Sequence, residues 1–165
     1  MQELKVNLLA EGLRIVIVAS RFNEMIVDRL IEGASDTFRQ FGGSPDELLL
    51  TRVPGAFEIS TAARQFAETE AYDAIVCLGA VIRGATSHYD HVCSAVTSGV
   101  ATVGADTGIP TIFGLLTTDT IDQAIERSGT KAGNQGRYAM QAAIEMSNLS
   151  SCLLYTSPSP RDAIP

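Results

Sequence analysis

Four short segments of the sequence carry residues suited to holding a planar, polar or anionic ligand, and each of them lies at the end of an apolar run. By number they are 20–23, 54–58, 79–88 and 113–118. The carboxyl ends of the strands of a parallel sheet lie at one edge of that sheet, and ligands bind in the crevice outside it. If the apolar runs are parallel strands, we expect the four segments to converge on a single site.

The segment Gly84–Thr86 precedes a predicted helix and is suited to an anion. Small residues let backbone N–H groups approach the anion, and the dipole at a helix N-terminus favours negative charge. The segment is neither a Walker loop, since no lysine follows, nor the dinucleotide fingerprint. An ordinary glycine turn with a threonine cap explains the same residues equally well.

His88 falls in the first turn of the same predicted helix. An imidazole beside an anion site can shuttle protons near neutral pH. The alternative is a surface histidine beside Tyr89 and His91. The two histidines are three residues apart on one helix, but no further ligand is apparent to complete a metal site. We therefore predict no metal here and keep His88 as a candidate proton carrier.

Aromatic and charged residues at the ends of other elements add to the candidates. Phe22 and Phe113 can stack on planar rings, although either one alone can equally fill the core. Glu58 can accept hydrogen bonds from sugar hydroxyls or complement a helix dipole. Arg127 and Lys131 lie between the last two predicted helices. A guanidinium binds two phosphate oxygens at once, but a basic residue there can also simply complement a helix C-terminus.

The elements that must position these residues alternate along the chain. Four nearly continuous apolar runs, typical of strands buried on both faces, are predicted at 13–19, 47–53, 73–82 and 110–116. Segments of helical period separate and follow them. We expect Asn23 to cap the first helix, Thr86 or Ser87 to cap the third, and Thr118 or Asp119 to open the fourth.

This alternation predicts an α/β fold. We expect a single-domain, doubly wound α/β sandwich with a four-stranded parallel sheet, right-handed crossovers and helices on both faces. A short additional edge strand is expected at Val6–Leu8. The last helix is predicted from about residue 132 to 147. From about residue 150 the periodicity stops and Ser and Pro take over, so the domain is predicted as 1–149 and the segment 150–165 as a disordered or non-native tail.

The composition narrows the classes of function. With 165 residues, 45% of them hydrophobic and 19% charged, the chain suits one globular domain. A net charge of -7 without a basic tract argues against a nucleic-acid partner. No apolar run approaches the roughly 18 residues that span a bilayer, so we expect no membrane partner. Three cysteines without metal spacing favour a reducing, cytoplasmic environment.

Taken together, four strings of residues resemble the lumazine synthase family. In chain order they are Pro54–Glu58, Gly79–Thr86 leading to His88–Asp90, Pro110–Thr117 and Gly129–Asn134. Each string lies at a predicted strand end or helix junction. The resemblance covers about residues 1–149, and four strings in the same order are highly specific.

The resemblance implies a transferase, 6,7-dimethyl-8-ribityllumazine synthase, acting in riboflavin biosynthesis. Such an enzyme condenses 5-amino-6-ribitylaminouracil with 3,4-dihydroxy-2-butanone 4-phosphate and releases phosphate and water. Members of the family use neither a metal nor an organic cofactor. Positioning and proton transfer suffice, because the attacking amine is already a competent nucleophile.

The resemblance also implies a role for each matching residue. His88 is the expected catalytic proton donor and acceptor. The pyrimidine and its ribityl chain are expected to contact Phe22, Ala56, Phe57, Glu58, Ala80, Val81, Ile82 and Phe113. The phosphate is expected to contact Ala85, Thr86, Arg127 and Lys131.

The family is built from rings of five subunits, which implies a homopentamer. The active site then lies between adjacent subunits, with Phe113 and Arg127 on the far side from His88. The uninterrupted junction Gly129–Asn134 resembles members that form icosahedral shells of sixty subunits. Gln135 departs from the family pattern, since many members have Lys there, and the tail after Asn148 matches nothing in the family.

Three other functions fit parts of the sequence. Riboflavin synthase activity, or a related pyrimidine-binding protein, would keep the stacking aromatics without needing His88 and Arg127 together. A non-catalytic lumazine carrier or structural shell would bind without turnover, and replacing His88 would leave its function intact. An electron carrier with the same flavodoxin-like fold would need a Ser/Thr-rich phosphate loop after the first strand, where this chain has Ser20–Asn23.

Overall fold

The central feature of the molecule is a four-stranded parallel sheet. A computed structural model describes residues 1–130 and 133–155. The strands are β1 (Ile15–Ser20), β2 (Leu48–Val53), β3 (Ala74–Ile82) and β4 (Thr111–Thr118). They lie in the order β2-β1-β3-β4, and each neighbouring pair is parallel. All four predicted strands are confirmed.

Helices cover both faces of this sheet. They are α1 (Glu24–Gln40), α2 (Ile59–Glu68), α3 (His88–Thr107), α4 (Ile121–Glu126) and α5 (Gln135–Tyr155). Alternate residues of a strand point to opposite faces, and Ile15 and Ile17 pack into the cluster with α1 and α5. Val16 and Val18 pack into the second cluster, with α2 and α3. The doubly wound α/β fold is therefore confirmed, as a flavodoxin-like arrangement.

Helix α1 has the predicted buried face but not the predicted cap. Val27, Leu30 and Phe38 are buried on the sheet side, as the helical period indicates. Asn23 precedes the helix with φ 61°, and its side chain makes no capping hydrogen bond. A capping residue usually has extended backbone angles. In the left-handed conformation the amide is instead directed to β3, where it donates to the carbonyl oxygen of Ala80 at 2.8 Å.

Two other helix starts differ from expectation in detail. β4 continues through Thr118, so α4 does not open at Thr118 or Asp119. Thr120 caps it, and its hydroxyl accepts a hydrogen bond from the N–H of Gln123 at 3.1 Å. Ser87 precedes α3 but makes no capping bond with its side chain. Thr86 Oγ1 instead accepts a long, 3.4 Å hydrogen bond from the N–H of His88.

The two ends of the described chain lie against each other. Val6–Leu8 form no strand, which corrects the predicted edge strand. The amide of Asn148 in α5 donates to the carbonyl oxygens of Asn7 and Leu9, at 2.9 and 3.0 Å. The Asn148 amide therefore bonds to backbone carbonyl groups that Val6–Leu8 and their surroundings would otherwise use to pair with a strand.

The last helix is longer than predicted. α5 continues to Tyr155, six residues into the segment predicted to be a tail from residue 150. Serine, cysteine and leucine can all continue a helix, and the first proline of this stretch is Pro158. Residues 156–165 lie outside the described part. Within residues 1–130 and 133–155, no helix is long and apolar enough to cross a membrane.

Candidate active site

A cleft of about 360 Å³ lies at the carboxyl edge of the sheet. Its volume falls within the range usual for sites that bind small molecules. Nine of the residues singled out in the sequence line it: Phe22, Ala56, Phe57, Glu58, Ala80, Val81, Ile82, Thr86 and His88. The predicted convergence of the first three strand ends is therefore observed.

The floor of the cleft is the end of β3. β1 pairs with β3 only as far as Leu78, whereas β3 continues to Ile82 alongside β4. The end of β3 therefore extends beyond its pairing with β1, and the backbone edge that β1 leaves unpaired borders the cleft. Backbone N–H and C=O groups at such an edge are strong hydrogen-bonding partners for a polar ligand.

Two aromatic side chains flank this edge. Phe22 follows β1 and is 71% exposed, and Phe57 lies in the short 3-10 turn before α2 and is 61% exposed. Neither ring fills the core, so packing does not explain their presence. Exposed rings at the mouth of an apolar cleft are suited to stacking on a planar ligand.

The loop between β3 and α3 forms the opposite rim. Gly84 and Thr86 line the cleft, and His88 is the first residue of α3. Ala85 lies in the same exposed loop but does not line the cleft. The helix N-terminus favours a negative charge here, and Glu58 at the start of α2 adds a carboxylate to the residues that line the cleft.

A cation is fixed at the base of this loop. Arg83 Nε donates to Asp119 Oδ1 at 2.8 Å, and its guanidinium carbon lies 4.4 Å from the centre of the Tyr89 ring. The hydrogen bond to Asp119, followed by the charge of Asp90, raises the pKa of Arg83. Burial, together with a hydrogen bond to Cys93, raises the pKa of Tyr89. Both groups therefore keep their protons.

The remaining predicted site residues lie apart from the cleft. Phe113 is half-buried in β4 and packs against the cluster under α2 and α3. Arg127 is exposed after α4, and its Nη1 donates to the carbonyl oxygen of Gln123 at 3.4 Å. Neither lines the cleft of the single chain. Lys131 lies outside the described residues.

A small hairpin that the sequence did not suggest holds the Arg127 region in place. It consists of β5 (Ser128–Thr130) and β6 (Gly133–Asn134). Asn134 Nδ2 donates to the carbonyl oxygen of Arg29 in α1 at 3.0 Å. The N–H of Gln135 donates to the carbonyl oxygen of Arg127 at 2.9 Å. The backbone at Arg127 is thus bonded to the start of α5, and Asn134 joins the adjoining hairpin to α1.

Five residues that line the cleft were not among the predicted site residues: Asn23, Gly55, Gly84, Tyr89 and Val92. Each of them is adjacent to a predicted residue or belongs to a string already singled out, except Val92. Val92 lies one helical turn after His88 on α3. That spacing predicts that the two side chains share one face of the helix, and it was the signal in the sequence for Val92. Among the described residues, no three His, Cys, Asp or Glu side chains come together as possible metal ligands.

One comparison with known families bears on this site. A family profile described as 6,7-dimethyl-8-ribityllumazine synthase matches residues 12–151. The match begins just before β1, ends within α5, and includes every described residue that lines the cleft. The family implies an enzyme of riboflavin biosynthesis with small-molecule substrates and a homo-oligomeric assembly. Because the match spans most of the chain and the fold agrees with it, the chain belongs to the 6,7-dimethyl-8-ribityllumazine synthase family.

Proposed function

We propose that this chain condenses 5-amino-6-ribitylaminouracil with 3,4-dihydroxy-2-butanone 4-phosphate, giving 6,7-dimethyl-8-ribityllumazine. The observation that carries the proposal is the meeting of exposed aromatic rings, a carboxylate and His88 in one cleft. These are the groups that a planar pyrimidine, a polyhydroxyl chain and a proton-transfer sequence require. A cytoplasmic location, favoured by the cysteine content, is part of the same proposal.

The pyrimidine substrate would occupy the part of the cleft between Phe22 and the end of β3. Stacking on an aromatic ring suits any planar base. The projecting edge at Ala80–Ile82 offers backbone groups to the polar edge of the pyrimidine. Glu58 would accept hydrogen bonds from the ribityl hydroxyls, and the backbone at Ala56 and Phe57 would exchange further hydrogen bonds with them.

The chemistry then needs orientation and proton transfer. The 5-amino group adds to the ketone and water leaves, forming an imine. Elimination of phosphate gives an enol, which tautomerises to a ketone. The ribitylamino nitrogen attacks that carbonyl, and loss of a second water closes the ring. His88 at the cleft rim would donate and accept protons in these steps, while Ala85 and Thr86 offer N–H groups to the phosphate.

The second half of the site would come from a neighbouring copy of the chain. Arg127 is exposed and backbone-tied, so its guanidinium is accessible to another subunit. We propose that Phe113 and Arg127, with Lys131, complete the cleft of the adjacent subunit in a ring of five. Arg127 would then bind the phosphate through two oxygens. Assembly of twelve such rings into an icosahedral shell is a further part of this proposal.

The first experiment is a turnover assay. Purified wild-type protein is mixed with both substrates, and lumazine absorbance is followed beside His88→Ala and Arg127→Ala. His91→Ala and Arg39→Ala are matched controls, because both side chains are exposed and neither lines the cleft. We expect His88→Ala to lower kcat by about 10- to 100-fold, near the lower end for general acid–base catalysis. Arg127→Ala should raise the KM for the phosphate substrate sharply.

Mixed assemblies test whether the site is shared between subunits. His88→Ala and Arg127→Ala chains are dissociated, combined and reassembled, and their activity is compared with that of each variant alone. A shared site regains part of the wild-type activity, because some interfaces then carry both intact residues. No regain would contradict sharing. Background turnover by an assembled wild-type protein would overturn the proposed reaction, and binding of the lumazine would then be measured for a carrier.

A further inference from the structure

Arg83 contacts residues at the end of β4 and at the start of α3, on the two sides of the β3–α3 loop. Its N–H donates to the carbonyl oxygen of Thr118 at the end of β4, at 2.8 Å. Its guanidinium reaches Asp119, just after β4, at 2.8 Å and Asp90, in the first turn of α3, at 3.5 Å. The plane of the same group lies over the ring of Tyr89. One side chain therefore connects β4 to the start of α3 across the base of the loop.

The rest of this loop has little else to hold it. Gly84, Ala85, Thr86 and Ser87 are all exposed. A Cβ atom placed on Gly84 would meet no atom within 4 Å, so no packing surrounds this position. An exposed loop without packing is expected to open easily. Its geometry therefore depends on what fixes its two ends, and Arg83 contacts both.

Arg83 is poorly suited to bind a substrate phosphate itself. Two carboxylates, Asp119 and Asp90, already surround one guanidinium. The local charge of the three groups is negative, which disfavours a second anion at the same guanidinium. The planar group also needs its present orientation to keep both the Asp119 bond and the Tyr89 contact.

We propose that Arg83 is a positioning residue that clamps the β3–α3 loop, so that Thr86 and the imidazole of His88 keep their places at the cleft. The effect on turnover rests on the proposed function. The clamping of the loop does not, because it can be measured without substrate. Asp119 is the partner on which the clamp depends most, through the shorter of the two ion pairs.

Hydrogen exchange tests the clamp directly. Amide exchange of residues 88–91 is followed by mass spectrometry in wild type, Arg83→Ala, Arg83→Lys and Asp119→Ala, because the N–H groups of Asp90 and His91 donate to the carbonyl oxygen of Ser87 in the loop. Arg39→Ala is the control, since it removes a comparably exposed ion pair with Asp36 on α1. We expect exchange in residues 88–91 to accelerate in the three test variants and to stay unchanged in the control. Lysine should not restore protection, because an ammonium cannot stack and bind as a planar fork.

Kinetics test the consequence for catalysis. A displacement of catalytic groups by about 1 Å can cost about 100-fold, so kcat/KM for the butanone phosphate should fall by about 10- to 100-fold in Arg83→Ala. The KM for the pyrimidine should stay near wild type, because its proposed contacts lie on β3 and on the segments after β1 and β2 rather than on the loop that follows Arg83. Arg83→Ala combined with Asp119→Ala should be no worse than Arg83→Ala alone, because Asp119 acts on the loop through Arg83.

The outcomes separate this inference from the proposed function. Unchanged exchange in both Arg83→Ala and Asp119→Ala would overturn the clamp. Faster exchange with unchanged kcat/KM would overturn the positioning role, as would full activity in Arg83→Lys. Faster exchange in a protein whose wild type makes no lumazine would overturn the proposed function and leave the clamp standing.

Discussion

The side chain of Asn23 donates a 2.8 Å hydrogen bond to the carbonyl oxygen of Ala80, linking the start of α1 to the end of β3. Both residues line the cleft. The bond occupies the carbonyl oxygen of Ala80 and leaves the other backbone groups of the extended β3 edge for a ligand. Asn23 reaches Ala80 from a left-handed backbone conformation, with φ 61°, which asparagine adopts more readily than most residues.

Two substitutions at Asn23 separate the hydrogen bond from the backbone conformation. Asn23→Gly keeps the left-handed conformation and loses the bond, so we expect a loss of about 1 kcal/mol in the free energy of unfolding. Asn23→Ala loses the bond and also places an alanine in the left-handed region, which adds about 1 kcal/mol. Urea denaturation at matched protein concentration measures both. Equal losses would show that the conformation carries no cost.

Phe22 should affect binding without affecting stability. Its ring is 71% exposed at the rim of the cleft, and exposed side chains change stability by at most about 0.5 kcal/mol when truncated. Loss of a base–aromatic stack costs about 1–3 kcal/mol of binding free energy. We therefore expect Phe22→Ala to weaken binding of 6,7-dimethyl-8-ribityllumazine by about tenfold, as measured by fluorescence titration.

The control for Phe22 is Met25→Ala. Met25 is 77% exposed in the first turn of α1, three residues after Phe22, and does not line the cleft. It should leave both affinity and stability unchanged. Wild-type affinity in Phe22→Ala, or an equal loss in Met25→Ala, would show that the Phe22 ring makes no specific contact with the ligand.

The strands were predictable because burial restricts the residue types that a strand can contain. Every residue of Ile15–Ser20 is buried, so both faces require apolar or small side chains and the run is nearly continuous. The rings of Phe22 and Phe57 were identified as candidates for a related reason. They follow such runs, at the sheet edge where parallel strands place their ligands.

Contacts between residues far apart in the sequence could not be predicted from local composition. Asn23 lies 57 positions from Ala80, and Arg83 lies 36 positions from Asp119. Asparagine before a helix is typical of a cap, and only the tertiary structure shows that its amide serves β3 instead. The hairpin around Arg127 was also missed, because strands of two or three residues are too short to show a period.

Two buried serines should respond oppositely to loss of the hydroxyl. Among the described residues, Ser20 Oγ is buried at the end of β1 without a hydrogen-bond partner, whereas Ser147 Oγ donates to the carbonyl oxygen of Ala143 at 2.7 Å. A buried unsatisfied hydroxyl costs about 1–3 kcal/mol, and a satisfied one contributes about 1 kcal/mol. We expect Ser20→Ala to raise the free energy of unfolding and Ser147→Ala to lower it. Destabilisation by Ser20→Ala in urea denaturation would show that its hydroxyl has a partner, such as a buried water.

Cys77 should make the protein less stable at alkaline pH. Complete burial in β3 raises the pKa of this thiol from 9.0 to about 12. Below pH 9 the thiol is protonated in both the folded and unfolded chains and contributes no pH dependence. Above pH 9 the unfolded chain loses the proton while the folded chain keeps it until about pH 12. The unfolded state then binds fewer protons, so stability falls through this window, by up to about 1.4 kcal/mol per pH unit.

Cys77→Ala removes the contribution of this thiol to the pH dependence of stability. The difference between wild type and variant therefore separates it from the contributions of other titrating groups. The free energy of unfolding is measured in urea with a reductant from pH 7 to 10.5, for wild type and variant. We expect the variant to start slightly lower, because a small cavity replaces the sulfur, and then to lose less stability than wild type above pH 9. Burial also raises the pKa of the Cys93 thiol, but this side chain is only half-buried. Cys93→Ala should therefore give a difference in the same direction that is smaller than that of Cys77→Ala. Parallel curves for wild type and Cys77→Ala would mean that the thiol ionises as easily in the folded chain as in the unfolded one.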